Sequence, residues 1–127
     1  MIGHRTAVVF AIVIMGLVFA SASASDRELP IVTGEHWTTA SEKEKKSLLI
    51  GMATIIEIEQ EAQGQNPPKV VREHSFIPQL SEGLSNYTIS SAMQGIDDYY
   101  VEHPDQLKRP VMEVIWFELT LPNLKSQ

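Results

Sequence analysis

Pairs of carboxylates on two predicted helices are the residues of this chain whose spacing suits chemistry. Glu57 and Glu61 stand four positions apart in the segment EIEQE, and Asp98 and Glu102 repeat that spacing. Residues four apart share one helix face, so the four carboxylates could hold calcium or a pair of metal ions. Helical di-metal sites, however, use Glu-x-x-His pairs. This sequence has no such pair, no EF-hand loop and no His-Glu-x-x-His, so we expect solvated acidic faces and neither metal nor cofactor.

Histidines and serines are the other candidates for catalysis. His36, His74 and His103 each follow a glutamate, at a predicted element end or in a loop. Solvated histidines are ordinary there, although they leave a response to pH open. No Gly-x-Ser-x-Gly elbow accompanies the many serines. The chain also lacks cysteine, which excludes thiol enzymes, Cys-ligated zinc modules and disulfides. We expect no catalytic residues and no enzyme.

The N-terminal segment has the pattern of a secretory signal peptide. His4 and Arg5 precede an unbroken small or apolar run from Ala7 to Phe19, and small-x-small cleavage motifs follow in ASASA. The run is shorter than the roughly 20 apolar residues of a membrane-spanning helix. We therefore predict a signal peptide at residues 1–24 and a periplasmic mature chain that is not attached to the membrane.

The acidic balance of the chain excludes several classes of partner. The sequence has 10 basic and 16 acidic residues, and cleavage after residue 24 removes one arginine, which leaves a net charge of −7. Nucleic acid and anionic membranes repel such a charge, whereas a basic protein partner is attracted to it. Residues 25–127 are enough for one compact domain and too few for two.

The sequence pattern of the mature chain predicts an all-α, single-domain bundle of about four helices. It opens with an extended leader at residues 25–36, where a proline and a glycine disfavour helix. Ser41 and Glu44 then have capping-box spacing, and apolar residues recur at helical spacing up to Gly64, which suits a C′ position. A helix of about 22 residues follows from this. Gly51 inside it weakens the helix, and we explain its presence by close approach of another helix.

The segment QNPPKVVREHSFIPQ is predicted to be a non-helical surface loop, because prolines interrupt it and its side chains are polar. A short helical turn follows from Ile77 to Leu84. Binding residues concentrate in long, polar, exposed loops, so we place the candidate partner-binding residues between Gln63 and Ser75. They are Gln65, Asn66, Lys69, Arg72, Glu73 and His74.

The C-terminal third predicts two more helices joined by a corner. Thr88 caps the segment TISSAMQGIDDYYVEH, which ends at His103 because Pro104 disfavours helical geometry before it. The last segment, VMEVIWFELTL, alternates like a strand, yet a lone strand has no evident partner. Its helical interpretation buries the stripe Val111, Val114, Ile115 and Leu119. We choose the helix and expect it to stop at Pro122.

The order of features between Gly34 and Pro122 has a recognisable plan. The features are Trp37, Lys46, Gly51, Phe76-Ile77-Pro78, Leu84, Thr88, Tyr99-Tyr100, His103-Pro104 and the closing apolar helix. This plan resembles the Rap/Tai family of periplasmic immunity proteins, which protect bacteria against cell-wall amidase toxins delivered by type VI secretion. The resemblance implies an HdeA-like helical fold. It also implies a disulfide between cysteines near Phe76 and Asn123, and because this chain has no cysteine, we expect apolar packing in its place.

Non-catalytic inhibition of a cell-wall amidase, a peptidoglycan hydrolase, is the leading functional hypothesis that the resemblance implies. An acid-stress periplasmic chaperone of the HdeA type is the alternative, and it would unfold on acidification to expose apolar surface. A periplasmic interaction protein of no known class is a third reading. An immunity protein should instead stay folded and bind one enzyme through a standard-sized interface.

Overall fold

The fold is all-α throughout the residues that a computed structural model describes, 30–64 and 66–124. The helices are α1 (Gly34–Thr39), α2 (Glu42–Gln63), α3 (Lys69–His74), α4 (Phe76–Gly83), α5 (Ile89–Glu102) and a C-terminal helix made of α6 (Val111–Val114), a π-helical segment (Ile115–Thr120) and α7 (Leu121–Leu124). A 3-10 turn, Pro104–Gln106, lies in the predicted corner. The predicted all-α single domain is confirmed, while the predicted signal peptide at residues 1–24 lies outside the described residues.

Side-chain caps begin the two long helices as predicted. The Ser41 amide donates to Glu44 Oε2 at 2.7 Å, and the Glu44 amide donates to Ser41 Oγ at 3.2 Å. These bonds satisfy two amides that have no partner inside the helix. Thr88 Oγ1 likewise accepts from the Ser91 amide at 3.0 Å. Gly64 follows α2 with φ of 79°, which glycine adopts without the usual steric penalty.

The explanation offered for Gly51 is wrong. A Cβ added there would meet nothing within 4 Å among the described residues, so none of the described helices approaches it closely. Close approaches occur instead at two glycines that face the C-terminal helix. A Cβ at Gly83 would lie 2.5 Å from Thr120 Cγ2, and one at Gly95 would lie 2.9 Å from Leu119 Cδ2. These glycines let α4 and α5 pack directly on the C-terminal helix.

The extended leader predicted at residues 25–36 ends earlier than expected, because α1 begins at Gly34. Trp37 explains the difference, since its side chain is buried in the core and burial of a large aromatic side chain outweighs weak local propensity. Thr33 precedes the helix and forms an isolated bridge with Pro110. The leader segment is therefore fastened to the start of the C-terminal helix.

The loop predicted between Gln63 and Ser75 contains helix α3, so that prediction is wrong. Pro68 stands immediately before the helix, where a missing amide hydrogen costs nothing and the fixed φ favours a helix start. Pro78 occupies the third position of α4, again within a first turn. Both prolines accompany helix starts rather than prevent helices.

The last segment is a helix, as chosen over a strand. All four residues of its predicted stripe are buried, and they pack in the core with Trp37, Leu49, Leu80, Ile96, Tyr99 and Tyr100. The helix does not stop at Pro122, however, because α7 continues to Leu124. The Leu121 amide donates to the Trp116 carbonyl, five residues back. This wider turn eases the crowding that a proline ring creates in an ordinary helix.

Two contacts fasten α4 to the C-terminal helix at the positions where the resemblance implies cysteines. Phe76 packs against Trp116 with ring centroids 4.7 Å apart. Asn123 Nδ2 donates to the Gly83 carbonyl at 3.0 Å. The apolar packing expected there is present at Phe76, whereas at Asn123 the contact is a hydrogen bond.

Candidate functional site

The predicted partner-binding residues lie on and just before α3, at the surface. Asn66, Lys69, Arg72, Glu73 and His74 are all exposed, and Gln65 lies outside the described residues. Helix α3 has no buried residue of its own. It is therefore held mainly through its neighbours along the chain, α4 in particular.

Contacts within α3 and with α4 involve three of the predicted residues. Lys69 Nζ lies 3.6 Å from Glu73 Oε1, an exposed pair of the kind that adds little stability. The Glu73 carbonyl accepts from Gln79 Nε2 at 2.7 Å, which joins α3 to α4. His74 Nδ1 lies 3.0 Å from the Val70 carbonyl. The bond from Gln79 positions α3 against α4, and the predicted binding residues of α3 remain exposed.

A groove of about 220 Å³ lies between the end of α2, α3 and α4, and we call it the α3 groove. The residues that line it include Glu59, Gln60, Arg72, Ile77, Pro78 and Glu82. Arg72 is the one predicted residue among them; the others come from α2 and α4. Gln60 Nε2 donates to Ser81 Oγ at 2.6 Å, which joins α2 to α4 within the groove.

The charges of the α3 groove are not neutralised by ion pairs. Within the part of the chain that the structure describes, Glu59, Glu82 and Arg72 form no salt bridge. Glu59 is half-buried, so solvent screens its charge less than that of a fully exposed residue. A charged group that enters the groove would therefore meet side-chain charges that are not already paired.

An exposed aromatic side chain, Phe76, lies next to the α3 groove residues along the chain. Phe76, which precedes the groove residues Ile77 and Pro78, is 46% exposed although it packs on the half-buried Trp116. An apolar side chain left this exposed is a candidate contact for a partner. We call the α3 groove together with Phe76 and Trp116 the α3 surface.

Sequence reasoning missed most of this surface. The sequence indicated Phe76 only as a position of the resemblance, and it did not indicate Glu59 and Glu82, which lie on the helices before and after α3. No local pattern brings these residues together, because their proximity depends on how α4 packs against α2. The available signal was indirect: a short Pro-rich connection must keep the end of α2 near the start of α4.

A second polar cluster lies at the corner HPDQLKRP. Arg109 Nη1 donates to the Tyr99 hydroxyl at 2.6 Å and to Glu118 Oε1 at 2.9 Å. Although partial burial disfavours its charge, these hydrogen bonds raise the pKa of Arg109 above its ordinary value. The Tyr100 hydroxyl donates to the Arg109 carbonyl at 2.7 Å. Burial, reinforced by Tyr99, raises the pKa of Tyr100 to about 12. Arg109 and Tyr100 thus keep one protonation state near neutral pH and hold the corner together.

His103 belongs to the same corner. Its ring stacks on Tyr99 with centroids 4.4 Å apart, and its Nδ1 lies 2.9 Å from the Tyr99 carbonyl. The side chain therefore terminates α5, as expected of a histidine that ends a helix before a proline. The corner stabilises the fold and is not the surface on which we base the function.

The paired acidic residues are exposed on α2 and α5. Among the described residues, no group of three or more histidine, aspartate or glutamate side chains is arranged to hold a metal ion. Across the same residues, no helix has the length and apolar character needed to cross a bilayer.

No protein-family model, curated protein or solved structure matches this chain. The resemblance to the Rap/Tai immunity proteins therefore stays a prediction that depends on the sequence features alone. Function has to be inferred from the α3 surface.

Proposed function

We propose that this protein is an exported, non-catalytic binding protein that inhibits a cell-wall amidase by docking the α3 surface onto the enzyme. Phe76 carries the proposal, because it is exposed, packs on the half-buried Trp116 and directly precedes the groove residues Ile77 and Pro78. Binding energy at interfaces concentrates in aromatic side chains next to pockets. Apolar surface that is exposed to solvent in the free protein would be buried in the complex, which favours association.

Charge and export support the same role. The predicted mature chain carries a net charge of −7, which favours encounter with a basic enzyme. The predicted signal peptide at residues 1–24 would deliver the protein to the periplasm, where a cell-wall amidase acts. The chain has no cysteine, so its fold in the periplasm would depend on the helical core and not on a disulfide.

The test is inhibition of amidase activity by the mature chain beginning at Ser25. Purified peptidoglycan is digested by envelope extract of the source organism, and release of wall peptides is measured against added protein. We expect release to stop at a stoichiometric ratio. Phe76→Ser should weaken inhibition about tenfold, because it removes apolar surface from the interface. Val101→Ser on α5, where the side chain is 79% exposed, is the matched control and should leave inhibition unchanged.

Two results would contradict the proposal. The first is undiminished peptide release at a large excess of folded protein, with helicity checked by circular dichroism. The second is loss of helicity in acid together with capture of many unrelated proteins, which would favour the HdeA-like chaperone instead.

A further inference from the structure

We propose that the α3 groove receives a basic side chain, lysine or arginine, of the protein partner. The inference deepens the proposed partner-binding role and rests on it, because it names the chemistry by which the α3 surface would recognise its partner. Three features of the groove lead to it: the electrostatics of the end of α2, the unpaired carboxylates and the apolar wall.

The end of α2 is electrostatically unfavourable in the free protein. The C-terminal end of a helix carries a partial negative charge, which basic residues in the last turn normally offset. Helix α2 has no basic residue in its last turn, and its last two turns carry Glu57, Glu59 and Glu61. Negative side chains therefore stand where the helix itself is already negative. A cation bound beside this end would relieve the repulsion.

Carboxylates from two helices face the α3 groove. Glu59 on α2 and Glu82 on α4 both line it, and neither forms a salt bridge within residues 30–64 and 66–124. A shallower adjoining cavity is lined by Glu57 and Glu61, which extends the negative potential. Because Glu59 is half-buried, an opposite charge placed next to it is only partly screened.

The shape and apolar wall of the groove suit a long side chain. Its volume of about 220 Å³ is several times the roughly 30 Å³ of one water molecule. Ile77 and Pro78 provide apolar surface along the groove. Lysine and arginine bury their methylene stems on such surface while the charged head meets a carboxylate. The groove offers both kinds of contact.

Arg72 lines the same groove, and its positive charge would repel a bound cation. The proposal therefore predicts the direction in which removal of that charge changes the affinity. Two carboxylates and the negative end of α2 face one guanidinium, so attraction should prevail. Lys69, also on α3, is paired with Glu73 and does not line the groove. Removal of the Arg72 charge should therefore strengthen binding of a cation, although this residue was among those predicted to bind the partner.

The test is an NMR titration of the mature chain with N-acetyl-arginine amide and N-acetyl-lysine amide, with uncharged N-acetyl-norleucine amide as the matched probe. We expect saturable shifts of amide signals around the α3 groove with the basic probes. Glu59→Gln and Glu82→Gln should weaken binding at least threefold, and Arg72→Gln should strengthen it. Glu102→Gln removes a charge at the end of α5, outside the groove, and should leave the affinity unchanged.

Thermal unfolding of the same variants separates binding from stability. Glu59→Gln and Glu102→Gln should both raise the Tm, because each removes a negative charge from a helix C-terminus. Only Glu59→Gln should also lose affinity for the basic probes. That combination would show that the charge at Glu59 costs stability and contributes to recognition.

The inference is overturned if norleucine amide binds as tightly as the basic probes, if no probe gives saturable shifts in the groove, or if Arg72→Gln weakens binding. None of these results alters the amidase-inhibition test, which depends on Phe76. Failure of the groove chemistry is thus distinguishable from failure of the proposed function.

Discussion

At the residue scale, one carboxylate oxygen joins three helices. Asp97 Oδ1 on α5 accepts from Trp37 Nε1 on α1 at 2.8 Å and from Lys45 Nζ on α2 at 2.8 Å. The Lys45 ammonium also lies 5.4 Å from the centroid of the Trp37 ring, within the range of a cation–π contact. A buried indole N–H needs a partner, so Asp97 satisfies the buried tryptophan and positions α1 and α2 against α5.

We expect Asp97→Asn to lower the free energy of unfolding by about 1–3 kcal/mol, because the Lys45 ammonium loses its counter-charge and both hydrogen bonds weaken. Lys45 is mostly buried, with 15% of its side chain exposed. Urea unfolding measures the effect, and a double-mutant cycle with Lys45→Met isolates the coupling. Glu73→Gln breaks an exposed pair and should cost less than about 0.5 kcal/mol. Equal effects of the two variants would contradict the role of Asp97.

At the element scale, two glycines illustrate two different effects, one on helix propensity and one on helix packing. Gly51 lies in the middle of α2 with open space above its Cα, whereas Gly83 ends α4 directly against Thr120. The first glycine weakens a helix with no gain in packing within the described residues. The second allows α4 and the C-terminal helix to touch.

Alanine at the two glycines should have opposite effects. We expect Gly51→Ala to stabilise the protein by about 0.5–1 kcal/mol, because alanine loses less backbone entropy in a helix. Gly83→Ala should destabilise it by about 1–3 kcal/mol, because the added methyl overlaps Thr120. Chemical unfolding of both variants checks this. Stabilisation by both would mean that α4 and the C-terminal helix tolerate separation.

The C-terminal helix continues through a proline because its backbone geometry changes just before it. Its π-helical segment, Ile115–Thr120, lies immediately before α7, which contains Pro122. The Thr120 hydroxyl donates to the Ile115 carbonyl at 2.8 Å, so both a side chain and the backbone span five residues there. The longer span lets the helix run on to Asn123, which donates to Gly83 and holds α4.

At the scale of the whole molecule, tight packing and the candidate binding surface occupy different parts of the fold. The corner around Tyr99, Tyr100 and Arg109 is joined by hydrogen bonds, an edge-to-face contact of the two tyrosine rings and burial. Helix α3 has no buried residue. Segments with few buried contacts open most easily and are where binding surfaces commonly lie. Helix α3 can therefore adjust to a partner without disturbing the core.

The stability of the whole fold should decline in alkali through Tyr100. Its pKa is raised from its ordinary value near 10 to about 12, so the folded protein holds the phenol proton more tightly than the unfolded chain does. That contribution is complete below pH 10 and is lost as the pH rises to about 12. Tyr100→Phe should cost about 1 kcal/mol near neutral pH, for the lost hydrogen bond to the Arg109 carbonyl, and should flatten this alkaline decline.

Thermal unfolding by circular dichroism across the alkaline range measures the decline. Tyr87→Phe is the control, because it also removes a phenol but leaves Tyr100 in place, and the decline should persist in it. A Tyr100→Phe curve parallel to that of the unsubstituted protein would contradict the assignment.

Part of the candidate site was predictable, and part was not. The sequence indicates the segment before α4 as the binding region because it is polar and connects two helices. One of its residues, Arg72, does line the α3 groove. The segment was expected to be a loop, yet Pro68 begins a helix there. The carboxylates of Glu59 and Glu82 come from α2 and α4, and no pattern within either helix indicates that they share a groove.

The starts of α2 and α5 and the buried stripe of the last helix followed from the sequence. A cap such as Ser41–Glu44 acts across three residues, and a stripe such as Val111 to Leu119 repeats within one element. Tertiary structure alone decided that α1 forms around Trp37 and that Phe76 meets Trp116. Those outcomes depend on burial and contact between residues far apart in the chain, and local propensity does not encode them.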